Sequence, residues 1–250
     1  MTTQVANPPV QSIRLLFSAL LLVMLLSALD QTIVSTALPT IVGELGGLDK
    51  LSWVVTAYIL SSTIAVPLYG KFGDLFGRKI VLQVAIGLFL VGSALCGLAQ
   101  NMTQLVLMRG LQGLGGGGLM VISMAAVADV IPPANRGRYQ GLFGGVFGLA
   151  TVIGPLIGGF LVQHASWCWI FYINLPLGLF ALLVIGAVFH SSNKRSQHQI
   201  DWLGAIYLSM ALLCIILVTS AGGSVHAWND PQLWCILAFG IVGIIGFIYE

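Results

Sequence analysis

Charge is scarce in this sequence. Of 250 residues only 7% are Asp, Glu, Lys or Arg, whereas 58% are hydrophobic. A water-soluble domain carries about 25% charged residues, so this chain cannot cover its outside with groups that water accepts. The four cysteines, Cys96, Cys168, Cys214 and Cys235, form no C-x-x-C pair. That excludes the common zinc and dithiol spacings and leaves them as small apolar residues of helices. Cys168 differs by position, since it falls in a loop. The four histidines lie in loops or at the ends of apolar runs without ligand spacing, so neither a metal site nor a cofactor is expected. No nucleophile–base arrangement is visible, which argues against an enzyme. Ten basic residues against eight acidic ones give no basic face for nucleic acid.

What the chain has instead is long apolar runs and a mean hydropathy of +0.98. Each run approaches the ~20 residues that cross ~30 Å of hydrocarbon. Eight spans are predicted: Arg14–Ala37, Leu51–Gly70, Ile80–Ala99, Gln104–Ala128, Tyr139–Gln163, Trp169–Phe189, Trp202–Ala221 and Leu233–Tyr249. The runs are continuously apolar rather than alternating, so they are helices and not barrel strands. The N-terminus lacks the ordered features of a cleavable signal, and the first span is expected to remain as an anchor.

The cations set the expected orientation. With the N-terminus inside, Arg14, Lys71, Arg78, Lys79, Arg136, Arg138, Lys194 and Arg195 all fall on the inner side, Lys50 lies outside, and Arg109 is within a span. This bias predicts a cytoplasmic N-terminus in a bacterial-type inner membrane. Trp53, Trp167, Trp169, Trp202, Trp228 and Trp234 fall at span ends, where an amphipathic ring prefers to sit. The polar stretch "HSSNKRSQHQID" after the sixth span divides the chain into a six-helix bundle over residues 1–189 and a linker with two additional helices over 190–250. The chain ends at Glu250 directly after an apolar run, as a chain cut short would.

Polar groups inside a span are costly and usually face a cavity or one another. Asp30 is expected about seven residues from the outer end of its span, roughly 10 Å deep. Arg109 lies roughly 8 Å deep from the same side, with Gln112 one helical turn below it and Asn174 at similar depth. These four residues predict a polar pocket in the outer half of the bundle. Desolvation favours the neutral form of a carboxyl group and a neighbouring cation favours its charged form, so such a pocket suits proton exchange. A structural contact for Asp30, and an Arg109 that reaches up to the outer interface, remain open.

Three further stretches stand out. In "GKFGDLFGRK", a short inner turn from Gly70 to Lys79, Gly70, Gly73 and Gly77 permit a reversal, and Asp74 is expected near the start of the third helix, at the positive end of its macrodipole. In the fifth span, Gly144/Gly148 and Gly154/Gly158 form small-x-x-x-small pairs for close packing, and Pro155 favours a bend. "RGLQGLGGGG" contains a literal G-x-G-x-x-G, yet it has neither a preceding strand nor G-K-[ST]. Its Gly110, Gly113 and Gly117 instead strip side chains from one face of a membrane helix.

These motifs together resemble the 14-span drug:proton antiporter branch of the major facilitator superfamily. "LDQTIVSTALP" is similar to its first-span motif, "GKFGDLFGRK" to the loop between spans two and three, "RGLQGLGGGG" to the fourth-span arginine motif and "GPLIGG" to the antiporter motif. "WCWIFYINLP" and "DWLGA" resemble the sixth-span motif and the start of the seventh span. Leu75 stands where the commoner loop motif has a second Arg, and Cys168 where the family usually has Arg.

The resemblance implies an all-α multi-pass membrane protein: the six-helix N-terminal bundle of the major facilitator fold plus two spans, with the C-terminal bundle missing. It implies that Asp30 serves protons and cationic substrate and that Arg109 assists proton movement. Asp74, Arg78, Lys79 and Asp129 would close the cytoplasmic side, and Gly154, Pro155, Gly158 and Gly159 would shape the moving interface. The function it implies is proton-coupled export of small hydrophobic or cationic compounds, with the lipid bilayer and the missing bundle as partners. The alternatives are a metabolite transporter of the same superfamily and a truncated, non-transporting assembly partner. This chain alone is expected to export nothing.

Overall fold

The computed structural model describes residues 10–189, 202–221, 228 and 230–250. The polar stretch between the sixth and seventh spans, with Lys194 and Arg195, lies outside these residues, as do the side chains of Arg14 and Trp202. The described chain is helical: α1 (Val10–Leu45), a single 3-10 turn (Leu48–Lys50), α2 (Leu51–Phe76), α3 (Arg78–Gly97), α4 (Met102–Val130), α5 (Pro133–His164), α6 (Trp169–Tyr172), α7 (Asn174–Val188), α8 (Trp202–Ala221) and α9 (Pro231–Tyr249). α6 and α7 together make the sixth crossing, and eight stretches of the described residues are long and apolar enough to span a bilayer.

Several helices outrun their predicted ends. α1 continues through Pro39 to Leu45 because its last turns still have a core to cover: Leu38 and Ile41 are buried. It stops where Gly46 and Gly47 adopt left-handed backbone, with φ of 68° and 74°. α2 continues to Phe76, and the reversal into α3 is confined to Gly77, whose φ of 89° is open to glycine at little cost. The predicted inner turn is therefore one residue wide. Asp74 accordingly lies in the last turn of α2, and not at the start of α3 as its sequence suggested. The α3–α4 turn is tied locally: Asn101 Oδ1 accepts from Gln104 N at 2.9 Å, and Gln104 Oε1 accepts from Gln100 N at 2.9 Å.

α4 is the axis of the bundle. It packs on α2 along one side and α3 along another, and α1 crosses it while lying against α5 and α7. The glycine run makes this possible. A Cβ at Gly113 or Gly117 would strike the α2 backbone at Tyr58 and Ser62, and a Cβ at Gly115 would strike the α3 backbone at Ala85 and Phe89. Across the same contact, a Cβ on Gly92 of α3 would come within 2.5 Å of Gln112 Cα. The sequence suggested one smooth face; α4 has two, one for each neighbour.

The core divides into two apolar clusters stacked along the bundle axis. One gathers Leu16–Leu26 of α1 with Leu82, Phe89, Leu119, Ile122 and Phe143. The other gathers Ala28–Ile41 of α1 with Val54, Leu105, Ala150, Trp167 and Phe171. Large apolar side chains such as Leu107, Leu156, Phe160 and Leu183 point outward, as lipid-facing side chains do. α8 and α9 pair with each other, and α8 also rests on α2.

Candidate functional site

Between the two apolar clusters lies a knot of polar side chains at the middle of the first span, Leu15–Leu45. Asp30 and Gln112 are fully buried, and Arg109 and Asn174 are 1% exposed. Arg109 Nη1 donates to Asp30 Oδ2 at 2.6 Å and to Gln112 Oε1 at 2.8 Å. Gln112 Nε2 donates to Asp30 Oδ1 at 2.8 Å, and Asn174 Nδ2 donates to the same oxygen at 3.1 Å. The carboxylate thus accepts three hydrogen bonds from α4 and α7. The four residues singled out from the sequence are brought together, about midway along α1. They interlock as a solid network instead of lining an open pocket, because each side chain satisfies another.

The helix positions explain the assembly. Arg109 and Gln112 are three residues apart and share a face of α4. Asn174 is the first residue of α7, next to the break at Ile173 that divides the sixth crossing. Beside that break the Phe171 carbonyl accepts from Ser93 Oγ at 2.8 Å, and Ser93 Oγ accepts from Asn174 Nδ2 at 3.0 Å.

The sequence reading missed Ser93, and also Tyr58, Cys96 and Ser27. The Arg109 guanidinium carbon sits 4.3 Å from the centre of the Tyr58 ring. The Tyr58 hydroxyl lies 3.4 Å from Ser27 Oγ, and Cys96 Sγ lies 3.5 Å from Gln112 Oε1. Serine and cysteine give little signal inside a span, since the helix backbone can satisfy a hydroxyl and a thiol is small and apolar. Tyr58 did carry one: it is a tyrosine well inside an apolar run, away from the ends where such rings collect.

The Gly70–Lys79 stretch forms a second cluster at one end of the bundle. Arg78 Nη1 pairs with Asp129 Oδ2 of α4 at 2.9 Å, and Arg78 Nη2 lies 3.7 Å from Asp74. Arg78 also donates to the Ala125 carbonyl, and Lys79 Nζ donates to the Gly186 carbonyl of α7 at 2.7 Å. An acid in the last turn of one helix and a base in the first turn of the next each oppose their own helix dipole. Set across Gly77 from each other, Asp74 and Arg78 offset that disadvantage. Gly73 faces Ile122, whose Cδ1 would lie 2.8 Å from an added Cβ, whereas Gly70 has open space.

In α5 the antiporter-like stretch divides by face. Gly154 and Gly158 are buried against Thr32 and Ile33 of α1, while Gly159 has nothing within 4 Å of an added Cβ, and Pro155 is exposed. Gly144 and Gly148, predicted as a packing pair, likewise meet nothing within 4 Å among the described residues. Both are exposed, so among the described residues only the second glycine pair makes a helix contact. Thr32 Oγ1 lies within 3.2 Å of the carbonyls of Ala28, Leu29 and Ala150, and its single proton serves one of them at a time.

A bundle of helices long and apolar enough to span a membrane, with a charge pair locked at its centre, defines a multi-pass α-helical membrane protein. Residues 20–250 match the family model described as Major Facilitator Superfamily. The chain belongs to this superfamily, whose members are transporters and not enzymes. It is 43% identical over 234 residues to the multidrug transporter protein MdtP of Bacillus subtilis, covering 94% of this chain and 43% of that protein. It is 42% identical to multidrug resistance protein 3 of the same organism, covering 92% of this chain and 45% of that one. An efflux pump of Gibberella fujikuroi, FUS6, is 38% identical, with 93% and 43% covered. The chain therefore spans less than half the length of these relatives. Among solved structures, the human organic anion transporter MFSD10 superposes with a TM-score of 0.67 at 17% identity, over 97% of this chain and 72% of that one. A D-xylose–proton symporter superposes with a TM-score of 0.64 at 17% identity, over 95% and 67%. At such identities these two show the shared fold.

Proposed function

We infer that this chain is the proton-handling part of an exporter that exchanges protons for small hydrophobic, often cationic, compounds. The observation that carries this reading is the Asp30 carboxylate, held by Arg109, Gln112 and Asn174 in a solvent-free layer between two apolar clusters. A buried carboxylate and guanidinium are tolerable together, and leaving either alone is costly. Delivery of a proton to Asp30, or of a cationic substrate, changes that balance and with it the packing of α1 on α4 and α7. Export at the expense of a proton is energetically ample: ~2.3 kcal/mol per charge per 100 mV supports a gradient on the order of fifty-fold. The names of the two Bacillus subtilis relatives, a multidrug transporter protein and a multidrug resistance protein, favour drug-like substrates over metabolites.

In this reading Asp30, Arg109, Gln112 and Asn174 are the coupling site. Arg78 with Asp74 and Asp129, together with Gly70, Gly73, Gly77 and Lys79, fastens the cytoplasmic end; Gly154 and Gly158 on one face of α5, and Pro155 and Gly159 on another, shape the moving interface. Residues 1–189 form the bundle, and 190–250 add a linker and two helices. The placement of the cations supports an N-terminus in the cytoplasm of a bacterial-type inner membrane. The test is efflux of a fluorescent cationic dye from cells expressing the complete coding sequence that contains this chain. Energy-dependent efflux that a protonophore stops is the expected result; a dye level equal to that of cells without the gene overturns the reading.

A further inference from the structure

The Arg109 guanidinium has more partners than one carboxylate requires. Besides Asp30 it has Gln112 Oε1 at 2.8 Å, the Val54 carbonyl 3.4 Å from Nε, and the Tyr58 ring 4.3 Å from its central carbon. The Phe171 ring lies farther away, at 6.0 Å. Val54 and Tyr58 both belong to α2, and Gln112 belongs to α4 itself. Among the described residues, only Asp30 connects the cation to α1. Tyr58 is itself fixed. It is 2% exposed, its hydroxyl meets Ser27, and an added Cβ on Gly116 would collide with that hydroxyl.

We propose that the face of Tyr58 is the second seat of Arg109, the partner that keeps the guanidinium satisfied when Asp30 is neutralised. This rests on the reading of Asp30 as the proton site. A neutral Asp30 leaves a buried cation without its anion, a state that is prohibitive unless another partner is at hand. An aromatic face supplies negative electrostatic potential without taking a proton or carrying a net charge, and it is most effective where water is excluded. The two states then differ in which helices are tied together. With Asp30 ionised, α1, α2 and α4 are joined through Arg109. With Asp30 neutral, Arg109 stays with α2 and α4, and α1 is freed from its ionic tie. Tyr58 is a positioning residue, acting through Arg109. Among the described residues, the other titratable group facing the pair is Cys96 of α3; α7 contributes the neutral Asn174, and α5 contributes no charged side chain to it.

The test reads protonation directly and needs no transport. The complete protein that contains this chain is reconstituted in lipid nanodiscs, and the carboxyl stretching band that Asp30→Asn removes is followed by infrared spectroscopy as pH falls. Tyr58→Phe keeps the ring face and is expected to titrate as the native chain does. Tyr58→Leu removes the face, so neutral Asp30 loses its support and its protonation requires about tenfold more protons. Fluorinated phenylalanines at position 58 keep the shape while draining the face of negative potential, which guards against a folding defect in the leucine variant. The midpoint is expected to move stepwise to lower pH with each added fluorine. A midpoint that stays constant across the fluorinated series overturns the role of Tyr58 while leaving Asp30 as the proton site. A native chain with no band that depends on Asp30 overturns both.

Discussion

At the residue scale, the structure separates side chains that share a chemical type by how well each is held. Asp30 and Arg109 are sealed, and each depends on the other. Arg109→Ala leaves a carboxylate buried without its cation, and is expected to cost about 3–5 kcal/mol of stability. The double variant Asp30→Asn with Arg109→Gln removes both charges and should recover most of that loss. Thermal unfolding of the detergent-solubilised chain measures both effects. Equal losses in the single and double variants would contradict the pairing. Arg78 and Asp129 present a different case, since their side chains are 23% and 43% exposed. An ion pair that open contributes about 0–1 kcal/mol. Asp129→Asn is therefore expected to leave the unfolding midpoint almost unchanged while altering the rate of dye efflux. A large loss of stability would mark the pair as structural.

At the element scale, glycine decides which helices touch. The α2–α4 and α3–α4 contacts are backbone to backbone at Gly113, Gly115 and Gly117, whereas Gly110 of the same helix faces open space. Gly113→Leu is expected to prevent the bundle from forming, since ordinary overpacking already costs about 1–3 kcal/mol and here the obstacle is main chain. Gly110→Leu is expected to fold. Size-exclusion profiles and protease resistance in detergent distinguish the two, and equal tolerance would contradict the close approach. In α5, the Cβ of Gly154→Val meets Thr32, whereas that of Gly159→Val has nothing within 4 Å in the described chain. A defect in folding at 154 and none at 159 is expected.

Much of this was legible in the sequence, and the residues show why some was not. Long apolar runs declared the helices, and Asp30, Arg109, Gln112 and Asn174 were conspicuous because polar groups in hydrocarbon need a reason. The length of α1 was less legible. It continues through Pro39, and a proline within a run is an ambiguous signal because neighbouring helices can satisfy the freed carbonyl. Asp74 was assigned to the wrong helix because "GKFGDLFGRK" has three glycines, any of which permits a reversal; only Gly77 takes the positive φ. Gly144 and Gly148 have the spacing of a packing pair, but spacing does not say which face a neighbour covers. Ser93 and Cys96 were invisible for a simpler reason, since both are ordinary inside membrane helices.

At the scale of the whole molecule, the two apolar clusters seal the polar layer from both ends of the bundle, and in the proposed reading a proton reaches Asp30 only when one of them opens. Cys96 is a natural reporter of that opening, being fully buried beside Gln112. In a chain with Cys168, Cys214 and Cys235 changed to serine, a membrane-permeant maleimide is expected to label Cys96 slowly at neutral pH and faster in the Asp30→Asn variant, where the tie to α1 is weakened. Equal labelling rates would contradict the sealed layer.

The decisive measurement is proton-driven transport with Asp30 intact and altered. The complete protein is reconstituted in liposomes, a pH difference is imposed, and movement of a cationic dye is followed in the native form and in Asp30→Asn. The native protein is predicted to move the dye against the proton flow, and Asp30→Asn to lose that dependence on the pH gradient. Gradient-driven transport that is unchanged in Asp30→Asn would contradict the assignment of the buried carboxylate as the coupling site.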